Sequence, residues 1–161
     1  MAMQYDVKSY HATSSSLAFG DRTRLKGVVL SPSTSTTFNS CVVDTAGALT
    51  GTYDIPGSTT CTVTIANHGL SNGDRVGLNF SGSAADDSYT VSNVTTDTFT
   101  VTTANLTQNG TVTMYPKVLV ELDCSTGTSF YTLIPGEGIL ATGGLFCLLP
   151  STTVTMTIFY G

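Results

Sequence analysis

The sequence is short of charge. Lys, Arg, Asp and Glu make up 11% of its 161 residues, under half of the roughly one quarter usual in soluble globular domains. Six basic residues face eleven acidic ones, for a formal net charge of −5. A nucleic-acid binder needs a basic footprint to neutralise phosphates, so no nucleic-acid partner is expected. No apolar run approaches the length of about 18 residues that a membrane-spanning helix needs, so no membrane partner is expected either. The opening MAMQYDVKSYHATSSS has no apolar core, and no secretory leader is expected from it. No window shows helical periodicity with caps.

The residues that do chemistry are also scarce. The two histidines are His11 and His68. Cys41, Cys61, Cys124 and Cys147 show no C-x-x-C spacing and no histidine partner at metal-ligand spacing, and are expected as free, buried thiols. Ser14, Ser15 and Ser16 lie outside any G-x-S-x-G context, and the histidines are too few to serve as bases. Asp6, Asp21, Asp123 and Glu137 are scattered, and without tryptophan there is no ring of the kind that stacks on sugar in a glycosidase cleft. Asp86–Asp87 lacks the D-x-D-x-D-G setting of a calcium loop and reads as turn carboxylates. His68 and Asp74 share one glycine-bearing loop, where His68 is expected to bond backbone and Asp74 to cap the turn. Pro135-Gly136-Glu137-Gly138 lacks the lysine of a phosphate loop and reads as a tight turn. The N-x-S/T matches at Asn79, Asn93, Asn105 and Asn109 are expected by chance in so Thr-rich a chain. No catalytic residue, metal site or cofactor is expected, and the protein is expected not to be an enzyme.

What is abundant is threonine, at 30 positions. Threonine is β-branched and favours pleated, half-buried surfaces. It also leaves a surface cheaper to desolvate on assembly than one carrying Lys and Glu. Alternating apolar positions recur along the chain. Val76, Leu78 and Phe80 share one face, as do Val118, Val120, Leu122 and Cys124, and again Val154, Met156, Ile158 and Tyr160. The fold class is therefore all-β, an antiparallel sandwich or jelly-roll-like frame with a small inserted β domain. Residues 1–16 read as a polar arm, residues 17–56 and 117–161 as the frame, and residues 57–116 as the insert, with joints at Pro56-Gly57 and Tyr115-Pro116. Within the insert, Asn109-Gly110 reads as a primed turn opening a last strand, Thr111–Tyr115.

Two stretches carry a resemblance. The run from Ala66 to Val101, HGLSNGD followed by SYTV and TFTV, resembles a β module that recurs in virion proteins of tailed phages, notably marine and cyanobacterial ones. Asp87-Ser88 stands where that pattern has Asp-Gly. Arg24-Leu25-Lys26-Gly27-Val28-Val29, Ile134-Pro135-Gly136-Glu137-Gly138-Ile139 and the closing Phe159-Tyr160-Gly161 are similar to small phage structural proteins. The resemblance implies a virion component assembled in the bacterial cytoplasm. A homotrimeric capsid decoration or cement protein, bound to copies of itself and to the major capsid protein, is the preferred expectation. A tail, adaptor or fibre-base component bound to tail proteins is the alternative. A glycan- or receptor-binding module, with a groove lined by Tyr53, Tyr89 or Tyr115, is a third. Arg22, Arg24 and Lys26 form the one close basic group and are the candidate partner-docking residues, facing an acidic rim on a neighbour.

Overall fold

The computed structural model describes residues 7–32, 38–124, 128–150 and 153–161. Among them the chain is all-β, with thirteen strands and no helix. They form three antiparallel sheets. The outer sheet runs β1 (Lys8–Ala12), β13 (Val154–Tyr160), β3 (Thr23–Pro32) and β10 (Phe130–Leu133), with β11 (Ile139–Ala141) also paired to β3. The middle sheet runs β2 (Ser16–Phe19), β12 (Leu145–Leu148), β4 (Phe38–Asp44) and β9 (Lys117–Cys124). The third sheet runs β5 (Leu49–Thr64), β8 (Thr98–Tyr115), β6 (Arg75–Phe80) and β7 (Asp87–Thr90).

Alternation explains the layering. β13 buries Val154, Met156, Ile158 and Tyr160 and turns its threonines the other way. Those side chains meet Leu25, Val28 and Leu30 of β3, together with Val42, Leu145 and Cys147 of the middle sheet, in one core. The outer and middle sheets are thus the two leaves of a sandwich. The middle sheet buries its other face as well. Cys41, Val43 and Leu148 point away from the sandwich and pack with Tyr115 in a second, smaller core, beside Phe146 and Val118. Tyr115 and Phe146 stack there at 5.0 Å. Strands buried on both sides read as continuous apolar runs, as Cys41-Val42-Val43 does. Gly77 lets the third sheet come this close, since a Cβ there would lie 2.7 Å from both Leu148 Cδ1 and Val43 Cγ1.

The third sheet folds back on itself around its own core. β5 and β8 pair along nearly their whole length, with register shifts at Pro56/Ser58 and Ser58/Thr60. The bend brings the two ends of β5 together, so that a Cβ on Gly51 would fall 2.1 Å from the Thr64 carbonyl oxygen. Ile55, Cys61, Val63, Leu78, Phe99 and Met114 fill the interior. Cys41, Cys61 and Cys147 are free and buried.

Three features differ from the sequence reading. The residues read as an arm are ordered from Lys8 onward, with β1 paired to β13 from Lys8↔Tyr160 to Ala12↔Met156; residues 1–6 lie outside the described residues. Ala12 and the half-buried Tyr10 supply the apolar contacts that hold β1, too few to register as a pattern. The joint placed at Pro56-Gly57 falls inside β5, because Leu49–Ile55 already pair with β8. Asn109-Gly110 is not a turn, for β8 runs straight through it, opposite Asp54 and Tyr53. Gly110 serves close packing instead, since a Cβ there would lie 3.1 Å from Tyr53 Cε1 and 2.4 Å from Ser81 Oγ.

The joint between sandwich and third sheet is locked by Asp44, the last residue of β4 and fully buried. Its carboxylate accepts the N–H groups of Ala46 at 3.0 Å, Thr142 at 2.7 Å and Gly143 at 2.9 Å, and the Thr142 hydroxyl at 3.0 Å. Lys117, its register partner on the returning chain, pairs with it at 3.2 Å. Burial disfavours the charge, but the N–H groups of Thr142, Ala46 and Gly143 and the Thr142 hydroxyl outweigh it and hold the carboxyl well below the usual carboxylate range.

Two outcomes are expected from urea unfolding. Asp44→Ala should lose about 3–5 kcal/mol at pH 7, because it strands the N–H groups of Ala46, Thr142 and Gly143, each costing about 1–3 kcal/mol when left buried and unpaired. The folded-state pKa is depressed, so this contribution is complete above the unfolded carboxylate pKa of about 3.9. It is lost as pH falls from there toward the folded value, so the gap between wild type and variant should begin to narrow below about pH 4 and shrink steadily with further acid. Gly77→Val should cost about 1–3 kcal/mol by wedging the third sheet off Leu148 and Val43.

Candidate docking surface

The basic group expected to dock a partner is divided by the structure. Arg24 and Lys26 stand on β3 and are engaged within the chain. Arg24 pairs with the Glu137 carboxylate at 3.1 Å and donates to the Gly138 carbonyl at 3.3 Å, while Lys26 donates to the Glu137 carbonyl at 2.7 Å. Both therefore fasten the turn between β10 and β11, where Gly136 and Gly138 have φ of 68° and 82°. Arg22, in the bend before β3, is exposed and lines a separate cleft with Lys8 and Tyr160.

The largest exposed apolar side chains cluster near that turn, on a strand the sequence reading did not single out for docking. Among the described residues β10 closes one edge of the outer sheet and pairs on one side only, with β3. Phe130 is 46% exposed, and Tyr131 and Leu133 are each 72% exposed. Register places Tyr131 and Leu133 opposite Val29 and Gly27, on the face turned away from the sandwich core. Gly27 lies between Leu133 and Phe159, since a Cβ there would stand 3.2 Å from one and 3.6 Å from the other. The sequence signal was present in Phe130-Tyr131-Thr132-Leu133, but a strand's edge position is set by its partners, not by its own residues.

The remaining candidates are held in structural roles. His68 Nδ1 accepts the Leu70 N–H at 3.1 Å, and Nε2 faces the Thr98 carbonyl at 3.4 Å. The ring is buried edge-on to Phe99. Asp74 accepts the Ser71 N–H at 2.8 Å. The shallow cavity of about 420 Å³ beside this loop is lined by Asn67, Gly69, Leu70, Thr95 and Thr96 and has no charged wall. Asp86 accepts the Phe80 N–H at 2.7 Å. The three tyrosines do not line a groove. Tyr53 is buried edge-on to Phe80, Tyr89 also packs edge-on to Phe80 and donates to the Ala85 carbonyl at 2.6 Å, and Tyr115 is in the core between sheets. Tyr53 and Tyr115 are spent on the protein's own packing, and Tyr89 is half-buried. No group of His, Cys, Asp and Glu with metal-ligand geometry occurs among the described residues.

Where the third sheet meets the sandwich, Arg75 of β6 pairs with Glu121 of β9 and also donates to Ser88 at 2.9 Å and Thr90 at 3.1 Å. Burial at this junction pushes the Asp87 carboxyl up to about 6, against the pull of the Ser88 N–H and Arg75 and with Asp123 adding to the rise.

No protein-family model matches the chain, and no curated protein matches it. Among solved structures, the chain has a likeness to one titled Phage phi92 endosialidase, with 24% sequence identity and a TM-score of 0.30. The match covers 84% of this chain and 22% of that one. At that score the likeness carries no argument about fold or activity.

Asp87 gives this junction a distinct pH response. Its carboxyl is raised in the folded state, so the fold binds that proton more tightly than the unfolded chain does. The burial penalty is present in full above about pH 6 and is relieved as pH falls from there toward 3.8. Asp87→Asn keeps the acceptor for the Ser88 N–H. It should raise stability at pH 7 by about 1–2 kcal/mol and flatten the stability profile between about pH 4 and pH 6, read by urea unfolding.

Proposed function

We propose that the protein is a non-enzymatic structural component of a phage-type particle, acting as a capsid decoration or cement protein that packs against copies of itself and against the shell. The observation that carries this reading is the uncharged, apolar edge strand β10, which leaves Tyr131 and Leu133 in water at 72% exposure. A soluble protein normally blunts such an edge with charge, proline or a bulge, and contiguous exposed apolar side chains mark interaction surfaces. On a chain of net charge −5, an uncharged edge is where two copies approach with least repulsion. The occupant of the β10 edge is accordingly a second copy of this chain, repeated around a closed symmetry axis as a trimer. The HGLSNGD…TFTV resemblance supports a virion setting. The loops that carry it hydrogen-bond among themselves, Asn67 to Asp97, Leu70 to His68 and Val94 to Asn72. Bound this way, the protein adds contact energy to a shell and turns over nothing.

Light scattering on the purified protein should give a trimer. Tyr131→Lys combined with Leu133→Glu should give a monomer with unfolding stability changed by less than about 1 kcal/mol, because both side chains are exposed. Quantitative mass spectrometry of purified particles should find a copy number comparable with that of the shell protein. A count matching a tail component would move the protein out of the head, and a monomeric wild type would remove β10 as the self-contact.

A further inference from the structure

The chain has six basic residues, and four are tied up within it. Arg24 is paired with Glu137, Arg75 with Glu121 and Lys117 with Asp44, and Lys26 donates to the Glu137 carbonyl. The two left over are Lys8 and Arg22. Neither has a carboxylate within ion-pair distance among the described residues, Asp21 beside Arg22 included. Although 14 positions apart in sequence, they converge on one cleft of about 260 Å³, lined by Lys8, Phe19, Arg22, Thr23, Tyr160 and Gly161.

The walls of this cleft are fixed by backbone pairing. Lys8 is the register partner of Tyr160, and Phe19 that of Leu145. Gly161 and Arg24 exchange main-chain hydrogen bonds at 3.1 and 3.3 Å. Phe19 and Tyr160 lie with ring centroids 5.2 Å apart, tilted by 36°, and Lys8 Nζ stands 5.7 Å from the Phe19 centroid. The cleft therefore offers two positive charges beside the half-buried ring of Phe19, which Tyr160 backs from the core. Cations without a carboxylate partner, on a chain of net charge −5, favour an anion. Ring faces favour a flat or apolar body, and a bare inorganic ion would use none of that surface. An Arg guanidinium matches a planar carboxylate with two donors.

We infer that this cleft binds a carboxylate carried on a ring or other flat apolar body, with Lys8 and Arg22 holding the charge and the half-buried Phe19 ring the body. The site stands apart from the β10 edge and does not depend on how copies of the chain assemble. The same chemistry is presented by a sugar acid and by the carboxylate of an amino acid, and the test separates the two.

The test is an amide chemical-shift titration of the full chain with benzoate, benzamide and acetate, followed by glucuronate and N-acetylphenylalanine. Benzoate should move the amides of Lys8, Phe19, Thr23, Tyr160 and Gly161, and should bind at least tenfold more tightly than benzamide or acetate. Its affinity should fall with added salt, as expected for exposed charges. Lys8→Gln with Arg22→Gln should weaken benzoate at least tenfold while leaving the spectrum outside the cleft unchanged, since both side chains are exposed. Phe19→Leu should narrow the gap between benzoate and acetate. Binding of glucuronate identifies a sugar acid as the source, and binding of N-acetylphenylalanine an amino-acid carboxylate. Equal binding of benzamide, retained affinity in the double variant, or shifts scattered away from the cleft would overturn the assignment.

Discussion

A single buried carboxylate holds the architecture in register. Asp44 ends the strand that leaves the sandwich, Lys117 begins the strand that returns to it, and Thr142 and Gly143 belong to the loop before β12. A charge with no exposed surface is tolerated only where its oxygens are satisfied from several directions. Those directions can be supplied only when all three segments are in place. The penalty for leaving this carboxylate unpaired thus becomes a constraint on where the third sheet can sit. The Tyr115–Phe146 stack and the close approach at Gly77 lie within the geometry that this knot sets.

Much of the fold was legible from alternation. β6 lies where Val76, Leu78 and Phe80 placed a strand, and β13 spans the alternation of Val154 to Tyr160. What period two cannot convey is how many faces of a sheet are covered. Cys41-Val42-Val43 and Leu145-Phe146-Cys147-Leu148 are apolar at both parities because the middle sheet lies between two layers. Read singly, such runs look like ordinary core strands. Asn109-Gly110 misled for a related reason. The dipeptide is a strong turn signal in isolation, but the ladder to β5 holds it extended, and the glycine answers to the Tyr53 ring.

Side-chain roles were legible where the partner is near in sequence. His68 with Leu70 and Asp74 with Ser71 are two and three residues apart, and loop chemistry alone anticipates them. Asp44 shows the opposite case. Its setting before Thr45-Ala46-Gly47 announces a turn, but most of its partners lie 73 to 99 positions away, and no spacing rule encodes them. Arg22, Arg24 and Lys26 look like one cluster along the chain. They separate because strand alternation and the β10–β11 turn claim two of them for internal contacts.

The pairing of Asp44 with Lys117 also has a mechanical side. Both connections to the third sheet leave the sandwich at the same terminal rung of the β4–β9 ladder. A pull on that sheet therefore reaches the frame as peeling, one rung at a time, a weaker geometry than sliding a whole strand. The clustered bonds of Asp44 sit on the rung that would open first, so the chain concentrates its resistance where a load arrives.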